Sequence, residues 1–548
     1  MPQLVLGPVL RYVGKEDATV WVETDAPCVV EVLGHSERTF TVEGHHYGLV
    51  CVGGLSPGEL HPYDVRLDER PAWPPRDYDF PQPAIRTLGG DGPLQVVFGS
   101  CRVALPHRPP YTLSKDEHPE GREFDALFTL ARELLERPRE DWPDLLLMLG
   151  DQVYVDEGSP AVRERIRAAR DVNTPPGEEV ANFEEYTWLY HESWGDPTIR
   201  WLLSTVPTAM VLDDHDMADD WNISRSWKEE MSRTPWWRER LVGGLMTYWI
   251  YQHIGNLAPA ELERHAEYEA VRRADDGGAA LREFVEWVDS NGEGKVWSFK
   301  RDLGGTRLVV VDDRTGRSFQ EGRRSIFDDH EWDWIVDACN GDFDHLLLAT
   351  TDPVLLAPGL HYAEAWNEAV CDGAWGDWAV APGEQLRRAL DLDHWAAFHV
   401  SFEKLERLLR ELGRGELGRP PASIVLLSGD VHHAYLAEVA FRRDAKVRSA
   451  VYQAVCSPFR NALDTHERQT VRLALTRPGT AMTRALARAA GARDPEIRWR
   501  LTEGPFFDNQ VATIRTAGRR ASMKLEKTVG DPHTDRRTLE TVFERRLA

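Results

Sequence analysis

Six apolar runs, each closed by a polar or acidic cluster, constrain this chain more than any other feature. They are "LQVVFGSC", "PDLLLMLGD", "TAMVLDD", "TRLVVVDD", "HLLLATTD" and "ASIVLLSGD", all lying between Leu94 and Asp430. Short continuous apolar runs predict strands buried on both faces. Helical patterns such as "FDALFTLARELLER" and "SFEKLERLLRELGRG" separate them. A layered α/β fold follows. In open α/β sheets, ligands bind just beyond the carboxyl ends of the strands, which is where the polar clusters fall.

The 548 residues exceed one ordinary domain. Residues 1–88 read as a separate all-β sandwich of the immunoglobulin or fibronectin kind. "ATVWVET", "CVVEVL" and "YDVRL" are rich in β-formers, with Gly, Pro and Asp between them. The proline-rich "PAWPPRDYDFPQP" at 71–83 serves as exit strand or linker. Residues 89–463 are expected to form the catalytic domain, with helical insertions at 158–205 and 221–292 that wall or cover a cleft. Residues 464–548 are expected to complete it with a helix, a hairpin and a tail. The hairpin would join "EIRWRLTE" to "NQVATIRTA" across "GPFFD", and "RRTLETVFERRLA" reads as a closing helix.

A net charge of −25 argues against nucleic acid as a stable partner and against an anionic membrane surface. A small anionic substrate stays compatible, because a metal-filled cleft is locally positive even in an acidic protein. No stretch is long and apolar enough for a membrane span. The first residues show no secretory signal. The six cysteines are dispersed without a C-x-x-C pair, a reduced pattern, and a cytoplasmic location is expected. The 20 tryptophans fit either packing or a cleft wall. Oligomeric state is not set by the sequence.

The strand ends carry the chemistry. Cys101, then Asp151 with Tyr154, then Asp213-Asp214-His215-Asp216, then Asp430 with His432 follow four of the six apolar runs. One carboxylate at a strand end is often a helix cap. Several buried together without a cation would cost several kcal/mol per unpaired charge, on the order of the penalty for any buried ion. A metal pair removes that cost. Asp151 is placed to bridge two metals, with Tyr154 three residues on returning towards one of them. A phenolate beside a thiolate suits iron(III) better than magnesium or calcium. Cys101 has a bland alternative as a small buried apolar residue. His215, flanked by acids, suits a general acid that protonates a leaving alkoxide, and is otherwise a ligand or an ion-pair partner. Asp219, Asp220 and Asn222 add oxygen donors, and His433 is expected to point away from the site.

In this order, "FGSC", "GDQVY", "DDHD", "VVVDDR" and "SGDVH" resemble the alkaline phosphatase D (PhoD-like) family of calcineurin-like metallophosphoesterases. The resemblance implies a four-layer αββα sandwich with Fe3+ and Ca2+, hydrolysing phosphate monoesters and diesters. It implies that Cys101, Asp151, Tyr154 and His432 hold the iron, and that Asp151 and Asp430 hold the second metal. Asp214 falls on the asparagine of the related Gly-Asn-His-Glu motif, and His215 on its histidine. Asp219 or Asp220 falls where the family often has asparagine. Arg314 would contact phosphate or form a structural ion pair, and Arg460 is a weaker candidate of the same kind. The expected substrate is a small phosphate ester. Alternatives are a metal-dependent hydrolase of other esters or amides, and a binding protein with a degenerate site.

Overall fold

The computed structural model describes residues 1–90, 92–291, 296–319, 324–534 and 536–548. Residue 292, the expected end of the second insertion, lies outside the described residues.

Every one of the six apolar runs contains a strand buried along most or all of its length, and the strands divide between two sheets. Leu94–Gly99, Leu145–Leu149 and Thr208–Val211 pair in parallel in a six-stranded sheet. Thr306–Val310, His345–Ala349 and Ser423–Ser428 pair in parallel in a seven-stranded sheet. Alternate side chains explain why the runs are apolar throughout. Val96, Phe98, Leu147 and Leu149 of the first sheet share one core with Leu308, Val310, Leu347 and Val425 of the second. Their neighbours Val97, Leu146 and Met148 face the other way, onto helices that include Ala126–Glu136. Val309, Leu346, Leu348 and Ile424 likewise face the helices Asp329–Ala338 and His399–Arg414. Two sheets therefore stack against each other with helices on both outer faces.

The C-terminal segments pair differently from the expectation. Arg498–Phe506 joins the seven-stranded sheet against Ala434–Ala440, while Gln510–Ala517 joins the six-stranded sheet against Leu94–Gly99. The two segments expected to form a hairpin thus belong to different sheets. The hairpin that does form runs from Gln510–Ala517 into Arg520–Gly530. "RRTLETVFERRLA" is no helix either, because Arg537–Arg546 is an edge strand beside Arg520–Gly530. Pairing with that neighbour overrides the helical charge spacing.

Near the N-terminus, two four-stranded sheets enclose Leu10, Val20, Val22, Val30, Val32, Val50 and Val65. Strand Ala18–Thr24 has both faces covered. Its even-numbered residues fill the sandwich core, and Trp21 packs with the helices of 183–257. Residues 158–205 contain three helices. The indoles of Trp194, Trp201, Trp221, Trp227, Trp237, Trp249 and Trp297 lie in that same core, so tryptophan enrichment here serves packing. Among the described residues, no helix is long and apolar enough to cross a membrane.

Glu23 fastens the sandwich to these helices. Its buried carboxylate accepts from His45 Nδ1 at 3.1 Å, His191 Nε2 at 2.9 Å and the Tyr251 hydroxyl at 2.9 Å. Burial opposes ionisation, but hydrogen bonds from His191 and His45 hold the Glu23 pKa below its ordinary value. Burial also opposes the charged form of His45, yet Glu23 and Glu184 raise its pKa. A raised histidine pKa gives stability that is complete below the unfolded value and is lost as pH rises through the folded value. Glu23→Gln is expected to cost about 1.5–3 kcal/mol, the range for hydrogen bonds to a charged group. It should also flatten the decline in stability above neutral pH, which urea titrations between pH 6 and 9 will measure.

Candidate metal centre

The loops after the strands converge from both sheets onto one site. Cys101 follows Leu94–Gly99, Asp151 follows Leu145–Leu149, Asp213 and Asp214 follow Thr208–Val211, and Asp430 and His432 follow Ser423–Ser428. Cys101, Asp151, Asp430 and His432 all adopt left-handed backbone, with φ of 56°, 54°, 62° and 49°. Each such residue costs about 1–2 kcal/mol relative to ordinary backbone, and strain of this kind concentrates at functional sites. Gly150, at φ 90°, adds a close approach, since a Cβ there would collide with Asp213.

Cys101, Asp151 and His432 bring ligand atoms within 4.8 Å of one another. The Tyr154 hydroxyl lies 3.2 Å from Asp151 Oδ2 and 3.5 Å from His432 Nε2. Ser100 and Ser457 hydroxyls each sit 3.1 Å from Cys101 Sγ. Three further groups continue from this one towards Asp430, and a side branch joins Asp156 and Asp219 through His215. Asp151, Asp214 and His215 form the next; Asp213, Asp214 and Asp430 the third; Asp352, His394 and Asp430 the last. Asp151, Asp214 and Asp430 are the shared links.

The chemistry of this donor set fits metal cations. Burial, then the Asp151 charge, holds the Cys101 thiol and the Tyr154 phenol well above their ordinary pKa values. Both are neutral until a cation stabilises their anions. Asp151 is buried and its Oδ1 has no hydrogen-bond partner among the described residues. Burial and the neighbouring Asp214 and Asp216 raise its pKa against the opposing charge of His215. Sulfur, nitrogen, carboxylate and phenol donors in one cluster suit a metal cation. The cluster around Asp214 and Asp430 offers oxygen donors for a second.

Several residues resolve differently from the sequence reading. Arg314 is no open phosphate clamp. Its Nε donates to Asp213 at 2.6 Å and its Nη1 to Asp393 at 2.7 Å. Its Nη2 lies 2.8 Å from Asp352 and 3.1 Å from Asp430. Of the two roles open to it, the ion pair is the one observed. Arg460 is likewise buried and occupied, donating to the carbonyls of Leu105, Pro106, Tyr111 and Glu123. Asp219 does not join Asp151 or Asp430. Its side chain is 68% exposed and sits 3.6 Å from His215 Nε2, in a group with Asp156. Asp220 has its carboxyl pKa raised to about 10 by burial and by Asp391 and Asp393. Asn222 donates to the Arg314 carbonyl. His433, by contrast, points away from the cluster as expected, stacking on Tyr435 and bonding the Val431 carbonyl.

The acids of "DDHD" divide their work. Asp213 pairs with Arg314, and Asp214 reaches the ligand groups. Asp216 accepts backbone N–H groups from Asp151 at 3.1 Å and Asp213 at 2.9 Å, fixing one loop against the other. His215 stacks on Tyr154 with ring centroids 4.4 Å apart, and its Nδ1 lies 3.0 Å from Asp156. Burial would lower its pKa, but Asp156 and Asp214 raise it well above the ordinary value. Asp156, Asp352, Asp393 and His394 were not singled out in the sequence. The available signals were an acid two residues after Tyr154 and the compact "DLDHW" at 391–395.

Part of this chain is similar to PhoD-like phosphatases. Residues 122–269 match the family model described as PhoD-like phosphatase, so the resemblance read from the motifs is borne out. Residues 1–85 match a domain of unknown function, DUF7800. The solved structure described as "Structure of PhoD" is 12% identical with a TM-score of 0.57, covering 99% of this chain and 92% of that one. This likeness establishes a shared fold. Purple acid phosphatase PPD1 from yellow lupin (Lupinus luteus) seeds is 11% identical with a TM-score of 0.47, covering 95% and 71%. No curated protein sequence matches the chain.

Proposed function

We propose that this protein is a metal-dependent phosphoesterase acting on small phosphate monoesters or diesters. In this reading its core is the four-layer αββα metallophosphatase sandwich, preceded by an immunoglobulin-like module. The supporting observation is the convergence of Cys101, Asp151, Asp214, Asp430 and His432 in linked ligand groups. We assign Cys101, Asp151, Tyr154 and His432 to an iron(III) site. Asp151, Asp214 and Asp430 would hold a second, harder cation such as calcium, which oxygen donors suit.

Metals held there would supply Lewis-acid polarisation of the phosphoryl group and would acidify a water. The chain's own residues provide the rest. Asp216 holds the Asp151 loop in place, and Arg314 fixes Asp213 and Asp430. Asp156 orients His215 through Nδ1, which leaves Nε2 to pass a proton to the leaving oxygen. A cytoplasmic location is part of the same proposal.

Ferric ion bound to a phenolate absorbs visible light. Protein loaded with Fe3+ and Ca2+ is expected to be coloured, to cleave aryl phosphate esters, and to lose both properties on chelation. Tyr154→Phe is expected to lose the visible band while keeping its fold by circular dichroism. A colourless, iron-free preparation with full activity would remove the iron assignment.

A further inference from the structure

We infer that His394, held by Glu364, is a ligand of the second metal, a position that none of the sequence motifs marks. The inference rests on the proposed metal-dependent function. His394 lies far from the other donors in sequence, just before the short turn Trp395–Ala397. The fold nevertheless sets its Nε2 3.1 Å from Asp430 Oδ2. Its other nitrogen, Nδ1, lies 2.7 Å from Glu364 Oε1.

This is the arrangement that ligating histidines use. One ring nitrogen donates to a carboxylate, which fixes the tautomer and the ring plane, and the other is turned to the metal. Glu364 is buried, and its second oxygen has no hydrogen-bond partner among the described residues, so its anchoring of His394 is undivided. The two oxygens of Asp430 are also differentiated. Arg314 occupies Oδ1, leaving Oδ2 on the His394 side. Asp352 completes the geometric group but is tied to Arg314 and Arg317, which makes it a weaker donor than His394. The sequence offers Asp219, with Asp220, as a further oxygen donor. Asp219 is exposed and lies beside His215 instead, and His394 supplies the donor that Asp219 does not.

The probe is Mn2+ alone, titrated into the purified full chain. It is read by equilibrium binding and by nitrogen modulation of the pulsed electron-paramagnetic-resonance echo. Wild type is expected to bind two ions. His432→Ala removes the imidazole nearest Cys101, and a coordinated nitrogen should persist in that variant. His394→Ala in the same background should abolish it. Singly, His394→Ala should weaken one site by about 100-fold or more, and Glu364→Gln by about 10–100-fold, the range for an outer carboxylate. Glu364→Gln preserves volume, and the His432→Ala echo needs no change at His394, so a misfolded His394→Ala leaves the question decidable. Two-site binding in wild type without the persisting nitrogen, or with nitrogen that survives loss of His394, overturns the assignment alone. Wild type that binds no Mn2+ overturns the proposed function as well.

Discussion

Asp151→Asn is expected to lower kcat/KM for an aryl phosphate ester by about 1,000-fold or more, equivalent to ~4 kcal/mol of transition-state stabilisation. Asp151 belongs to both the Cys101–His432 group and the Asp214–His215 group, so one substitution weakens two proposed metal positions. Asparagine keeps the volume and one acceptor oxygen but removes the negative charge. The fold should survive the change. Burial and the neighbouring acids already raise the Asp151 pKa, so the charge is a liability to the chain when no cation compensates it. The variant is therefore expected to unfold at the same or slightly higher urea concentration than wild type when both are free of metal. With metal the order should reverse, because ligand binding stabilises the wild-type fold in proportion to RT ln(1 + [L]/Kd). This crossing separates a metal ligand from a residue that merely packs. Full activity in the variant would refute the proposed centre.

The site was legible in sequence to the extent that its parts are local. A buried strand followed by an acid is written in consecutive residues, so Cys101, Asp151, Asp214, Asp430 and His432 stand out at the ends of their runs. The partners that act on them are not local. His394 meets Asp430 only because two loops of the seven-stranded sheet converge, and nothing in "DLDHW" announces which carboxylate it will face. Arg314 has the same difficulty on a larger scale, since its aspartates come from four other loops. The C-terminal error has a related cause. Alternating residues on both sides of "GPFFD" satisfy a hairpin, but alternation specifies a strand and not its partner. Ala434–Ala440 and Leu94–Gly99 lie far back in the chain and capture the two halves separately.

Arg314→Met is the second large effect, and it is expected to appear in stability. The buried guanidinium contacts Asp213, Asp352, Asp393 and Asp430, with Asp214 at 3.8 Å, while Arg317 shares only Asp352 and Asp393. Five carboxylates thus surround two guanidinium groups, with His394 as a further partner of Asp430. Burial lowers the pKa of Arg314, but these aspartates more than reverse it and hold the group charged. Removing one partner of a buried ion pair costs about 3–5 kcal/mol because the survivors stay uncompensated. Here several survivors remain, so the loss should reach at least the upper part of that range. Methionine retains the apolar stem, which confines the effect to charge. A residue that gripped phosphate would behave otherwise, raising KM while leaving the urea midpoint unchanged. The variant should also respond to metal more strongly than wild type does. A divalent cation near Asp430 replaces part of the missing positive charge, so added Ca2+ is expected to recover some of the lost stability. An unchanged urea midpoint combined with a raised KM would return Arg314 to the role of substrate clamp.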